Sequence, residues 1–177
     1  MKETILDIFA GVMPTVIICI IIAVSLRVTY LIRNKKKFHI IEEFLALTFI
    51  IYIICLFYAV TFQDIDGSWA TSNFLPFREM FRYSFGSRLF IKNVLGNMLM
   101  FIPYGFFSSY FLKEKNGFVI FILTAILSFS IEYIQLRIGR VFDIDDIILN
   151  VVGGLIGYFI YFVLCRIKSI FIKDNNK

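Results

Sequence analysis

The sequence is almost without histidine: His39 is the only one in 177 residues. It stands at the start of the second long apolar run, on the opposite side of the membrane from the polar cluster described below. Ser-His-Asp and Cys-His nucleophilic arrangements are therefore excluded there. Cysteine is also scarce. Cys19, Cys55 and Cys165 fall within or at the ends of apolar runs, where cysteine is ordinarily reduced and packs as a small hydrophobe. Their spacing supports neither a disulfide framework nor a Cys-x-x-Cys metal site, and no metal is assigned to the chain. A low-complexity tract, an internal repeat and a soluble domain are all missing.

What the sequence has in excess is apolar surface. Hydrophobic residues make up 59% of the chain and the mean hydropathy is +0.83. A soluble domain of this length would bury only part of such a surface, so lipid must cover the rest. The apolar runs are long enough to cross a hydrocarbon core of about 30 Å, which takes roughly 20 helical residues. Inside lipid every backbone N–H and C=O needs an internal partner, so spans are helices or closed barrels. A barrel would alternate polar and apolar residues; these runs are continuously apolar. The expected fold is all-α and polytopic, with five spans near 8–32, 42–62, 92–112, 117–136 and 147–166. The first run is too long for a signal peptide, lacks a strongly basic start and precedes no small-x-small cleavage site, so it is read as a retained helix. Two spans occupy 1–66, a membrane domain with three spans and an outer loop covers 67–166, and 167–177 is a basic tail expected to be disordered.

Charge sets the expected orientation. Arg33, Lys35, Lys36 and Lys37 form the densest basic cluster, in a short loop, which places that loop in the cytoplasm. Threading outward gives an external N-terminus and a cytoplasmic C-terminus. Eleven of the 18 Lys and Arg then lie inside with four acids, and seven lie outside with eight acids, while Glu132 sits within a span. The formal net charge of +5 thus reports topology and not nucleic-acid binding.

Two features stand out at the outer face. Between Gln63 and Lys92, Phe77, Met80, Phe81, Ser84 and Phe85 recur at helical spacing with Arg78, Glu79 and Arg82 among them. That pattern predicts a short amphipathic helix in the outer interface, started near Pro76 and accompanied by Trp69 and Tyr83 at the same depth. Its arginines Arg78 and Arg82, with Arg88, suit anionic head groups. The second feature is a layer of polar residues on the last three spans. Asn93 and Asn97 share a face of the third, whose Pro103 is expected to kink it. Ser128, Glu132 and Gln135 share a stripe of the fourth. The fifth is entered through Arg140, Asp143 and Asp146 and continues through Asn150 to Gly153-x-x-x-Gly157, a spacing that invites close approach by a neighbouring helix. Asp143 and Asp146 also fit an N-cap with an acid in the first turn. A buried carboxylate such as Glu132 is costly in lipid and should face the bundle or water. Together these residues form a candidate outer-leaflet site. Glu132, Asp143 and Asp146 are the candidates for acid–base work. Asn93, Asn97, Gln135, Arg140, Asn150, Arg78 and Arg82 are the candidates for holding a ligand. Carboxylates that share a proton or bind a cation through oxygen, with arginines for phosphate, describe a site for phospholipid or polyprenyl-phosphate chemistry.

The run Asn97-x-x-x-Phe101-x-Pro103-x-Gly105 resembles the central signature of the VanZ-like membrane proteins. So does Glu132-x-x-Gln135 followed by Arg140, Asp143, Asp146, Asn150 and Gly153-Gly154, and Asn73-x-x-Pro76-Phe77 ahead of them is similar too. The resemblance covers about residues 72–160. It implies a bacterial plasma-membrane protein related to one that gives low-level resistance to teicoplanin, a lipoglycopeptide that meets lipid-linked cell-wall precursors at the outer leaflet. The expected partners are therefore membrane lipids and such a precursor or the lipoglycopeptide itself, with no nucleic acid. Whether a reaction is catalysed, and with what cofactor, stays open. The alternatives are an enzyme acting on a phosphorylated or glycosylated lipid, a small flippase or transporter, and a partner that docks through Gly153 and Gly157.

Overall fold

A computed structural model of the chain describes residues 2–35, 37, 39–61, 72–78, 80–137, 139 and 141–174, with side chains described within 17–57 and 72–171. The chain divides into two compact units, Met1–Ala59 and Val60–Lys177.

The first unit contains α1 (Lys2–Arg33) and the greater part of α2 (Ile40–Thr61). Arg27 near the end of α1 donates to both carboxylate oxygens of Glu43 in the first turn of α2, at 2.7 and 2.9 Å. The fork of the guanidinium matches the carboxylate, and Glu43 lies at the helix end whose dipole favours an acid.

The second unit contains α3 (Arg88–Leu112), α4 (Gly117–Arg137) and α5 (Ile144–Asp174). α3 starts at Ser87, whose hydroxyl accepts from the Phe90 N–H at 3.1 Å. It widens into a π-helical stretch over Ile91–Leu95, with the Gly96 N–H reaching back to the Ile91 carbonyl, and then continues as α-helix that includes Pro103. Lys113, in the left-handed conformation at φ 52°, ends it. Asn116 caps α4 by accepting from the Phe118 N–H at 3.0 Å, and Asp143 caps α5 by accepting from the Asp145 N–H at 2.9 Å.

Among the described residues, four helices are long and apolar enough to cross a membrane: Ile40–Phe57 in α2, α3, α4, and Ile144–Phe171 in α5. This is a multi-pass, all-helical membrane protein. The expected first span coincides with α1, whose side chains up to residue 16 lie outside the described residues. α5 extends past the end expected for the last span. Ile167, Ile170 and Phe171 carry the helix to Asp174 where a disordered tail was expected, because no Gly or Pro interrupts residues 158–174.

Glycines set the packing of α3 on α5. A Cβ on Gly153 would sit 2.1 Å from the Met98 carbonyl oxygen, one on Gly157 2.0 Å from that of Ile102, and one on Gly105 1.9 Å from that of Gly154. Real Cβ atoms do not come so close, so the two backbones touch directly. The neighbour that the Gly153-x-x-x-Gly157 spacing admits is therefore α3 of the same chain. α4 closes on the pair through Thr124, whose hydroxyl oxygen lies 2.5 Å from a Cβ built on Gly154.

The chain ahead of α3 departs from expectation. The described residues of 75–87 pass through successive turns and form no regular helix. Phe77 lies in the left-handed region at φ 68° and Gly86 at φ 77°. Phe81 and Phe85, expected on the lipid-facing side of the interfacial helix, are 82% and 90% exposed. The reason lies in α5, as the next section describes. Trp69, expected at the same depth, lies outside the described residues.

Candidate functional site

At one end of the second unit α3 and α5 begin and α4 finishes. Three acids enter the first turn of α5 in quick succession, Asp143, Asp145 and Asp146, close to the positive end of the helix dipole. Each has a different task.

Asp143 is the cap of α5 and also pairs the chain with a distant segment. Its carboxylate accepts from the Asn73 side-chain amide at 2.9 Å, while the Asn73 backbone donates to the Phe142 carbonyl at 2.8 Å and accepts from the Ile144 N–H at 3.1 Å. The result is a one-residue parallel β-bridge between Asn73 and Asp143. Phe74 stacks on Phe142 beside it, with ring centroids 5.3 Å apart. The Asn73 side-chain oxygen accepts in turn from the Leu75 N–H at 3.2 Å.

Asp145, 1% exposed, receives the next stretch of the strap. One of its carboxylate oxygens accepts from the Phe77 N–H and the other from the Met80 N–H at 3.1 Å. In a helix started at Pro76 the Met80 N–H would bond within the helix, and the Phe77 N–H would be one of the free donors of its first turn. The carboxylate takes them instead, and Phe77 adopts its left-handed conformation. The described residues of 73–82 thus form a strap laid across the head of α5, and this strap carries Arg78 and Arg82, both exposed.

Asp146 turns toward α3, where its carboxylate accepts from the Asn97 side-chain amide. Glu132, 1% exposed on α4, accepts from the Asp143 N–H at 2.9 Å, which ties α4 to the start of α5. One turn deeper, Asn150 on α5 donates to the Ser128 hydroxyl of α4 at 2.9 Å. Gln135 is buried on the same side of α4, and Asn93 is half-buried within the π-helical stretch.

The structure therefore gathers Glu132, Asp143, Asp146 and Asn97 into one layer spanning three helices, with Asn150 one turn deeper. Arg140 lies outside the described residues. Among the described residues no group of three His, Cys, Asp or Glu is arranged to hold a metal ion. Sequence reasoning missed two members of the layer. Asn73 was noted only as part of a motif, and Asp145 was passed over between its neighbours. The available signal was an excess: one cap and one dipole partner account for two acids, and residues 143–146 contain three.

A family model described as VanZ/LLP1 matches residues 49–166. No curated protein and no solved structure matches the chain.

Proposed function

The chain belongs to the VanZ/LLP1 family, and from that premise we propose that it binds a lipid or a lipid-linked cell-wall intermediate in the outer leaflet of a bacterial plasma membrane. In this reading the N-terminus is outside, the C-terminus is cytoplasmic, and the head of α5 faces outward. The observation that carries the reading is the hydrogen-bonded layer: Glu132, Asp143, Asp146 and Asn97 come from three apolar helices and meet at one membrane end. Polar groups in lipid are costly and are kept where they serve a pathway or a ligand. The strap brings Arg78 and Arg82 to the same end, where phosphate-bearing head groups lie. Binding suits the layer better than acid–base catalysis. Glu132 and Asp143 already hold backbone N–H groups, and a carboxylate so engaged is poorly placed to move a proton. Protection against teicoplanin follows if the protein occupies or shields the lipid-linked target that the drug seeks.

The test uses a glycopeptide-susceptible bacterium expressing the protein. Wild type raises the teicoplanin concentration needed to stop growth, and Glu132→Gln and Asp146→Ala return it to the vector level at equal membrane abundance. The Gln variant keeps an oxygen for the Asp143 N–H and removes only the charge, so its loss of protection reports on ligand binding. Full protection by both variants would sink the proposal.

A further inference from the structure

Among the described residues, one buried side-chain polar atom has no partner in the protein: the side-chain oxygen of Asn150 accepts no hydrogen bond. The residue is 3% exposed, and its amide nitrogen is held by Ser128, which is 0% exposed. A nearby hydroxyl is engaged elsewhere. Thr124, one turn below Ser128 on α4, donates to the Ile120 carbonyl at 2.7 Å. Buried amide oxygens ordinarily have partners, and leaving one unpaired costs more than replacing it with an apolar side chain of the same shape. Leucine would fill this volume without that cost.

The position of the pair is informative. Asn150 lies one turn beyond Asp146 on the same face of α5, and Ser128 lies one turn before Glu132 on α4. Asn150 is thus six residues into α5, about 9 Å below its head at 1.5 Å per residue. That depth suits an uncharged group and not a phosphate, whose desolvation there would be severe.

We propose that the side-chain oxygen of Asn150 is a buried binding site for a hydroxyl group, one turn beneath the carboxylates of the outer layer. The hydroxyl donates to the Asn150 oxygen. It comes either from a water molecule or from a lipid alcohol entering between α4 and α5. The proposal stands apart from the reading of the cell-wall ligand, because it rests on an atom that the layer above does not use.

The test compares Asn150 with Asn150→Leu in a Ser128→Ala background, so that the bond between the two side chains is absent from both proteins. Thermal unfolding of the purified full chain is followed by intrinsic fluorescence in phosphatidylcholine nanodiscs, whose lipid has no hydrogen-bond donor, and again with added dioleoylglycerol, which has one. A bound hydroxyl makes the leucine variant melt lower, by about 2–6 °C. A decrease already present in phosphatidylcholine identifies water, and one that needs dioleoylglycerol identifies a lipid alcohol. An unchanged or higher midpoint in both lipids overturns the proposal, since removing an unpaired oxygen should cost nothing. The unmutated protein supplies a second measurement that does not depend on the variants folding. A high-resolution structure in nanodiscs containing dioleoylglycerol should show density within about 3.2 Å of the Asn150 oxygen, and a clear map without it overturns the proposal.

Discussion

Gly157→Leu is expected to leave almost no folded protein in the membrane. A Cβ at Gly157 meets the Ile102 carbonyl oxygen at 2.0 Å and the Phe106 nitrogen at 2.7 Å. Both are backbone atoms in the interior of a helix, so no rotamer change relieves the clash. Overpacking a core typically costs about 1–3 kcal/mol where side chains can adjust. Here the helices must separate, and the expected loss exceeds about 3 kcal/mol, a large share of the roughly 5–15 kcal/mol that holds a domain together. Even Gly157→Ala places a carbon in that position and should lower the yield of monodisperse protein on size-exclusion chromatography in detergent. Gly96→Ala is the control. Only the Ile91 carbonyl, at 3.7 Å, lies near a Cβ there, and alanine is the better helix former by about 0.5–1 kcal/mol. It should behave as wild type or better. Equal behaviour of the Gly157 and Gly96 variants would refute the claim that α3 and α5 meet backbone to backbone.

Asp145→Ala should free the strap while the three helices stay folded. It removes the acceptor of both the Phe77 and the Met80 N–H. Hydrogen bonds to a charged group contribute about 1.5–3 kcal/mol each. Asp145→Asn keeps one acceptor oxygen and should lose about half as much. The measurement is trypsin cleavage of the membrane-embedded protein after Arg78 and Arg82, both on exposed strap positions. When opening is fast relative to cutting, the cleavage rate follows the population of the open form. A local loss of about 2 kcal/mol or more then raises it by roughly 30-fold or more. The order Ala, then Asn, then wild type is the expected result. Cleavage at the wild-type rate in the alanine variant would show that the β-bridge at Asn73 is enough to hold the strap.

The helices were legible because lipid imposes a simple rule. A continuous apolar run must close its hydrogen bonds within itself, and the limits expected for the fourth span, 117–136, lie within a residue of α4 (Gly117–Arg137). The site was legible for the same reason. Polar residues at helical spacing in such runs share a face, and helices of opposite direction bring those faces to a common depth, so Glu132, Asp146 and Asn97 could be assigned to one layer. The strap could not be read in this way. Phe77, Met80, Phe81, Ser84 and Phe85 have the period of a helix, but the period says nothing about which acceptor the backbone will find. Asp145, more than sixty residues away, competes for the Phe77 and Met80 N–H groups and takes them. Asn73 was invisible in a different sense: its role lies in backbone bonds to Phe142 and Ile144 that no side-chain pattern encodes. The Asn150–Ser128 pair lay between these extremes, with the residues in view and the unpaired oxygen hidden.

Direct contact between the backbones of α3 and α5 also has a mechanical meaning. Side chains between two helices act as springs, since they change rotamer and let one helix slide or roll against the other. At Gly105, Gly153, Gly154 and Gly157 no such layer exists, and the two helices have no compliance relative to each other. They form a fixed frame. Any movement that admits a ligand falls to the parts outside that frame: α4, held to the head of α5 by Glu132, and the strap beyond its bridge at Asn73, held there by Asp145.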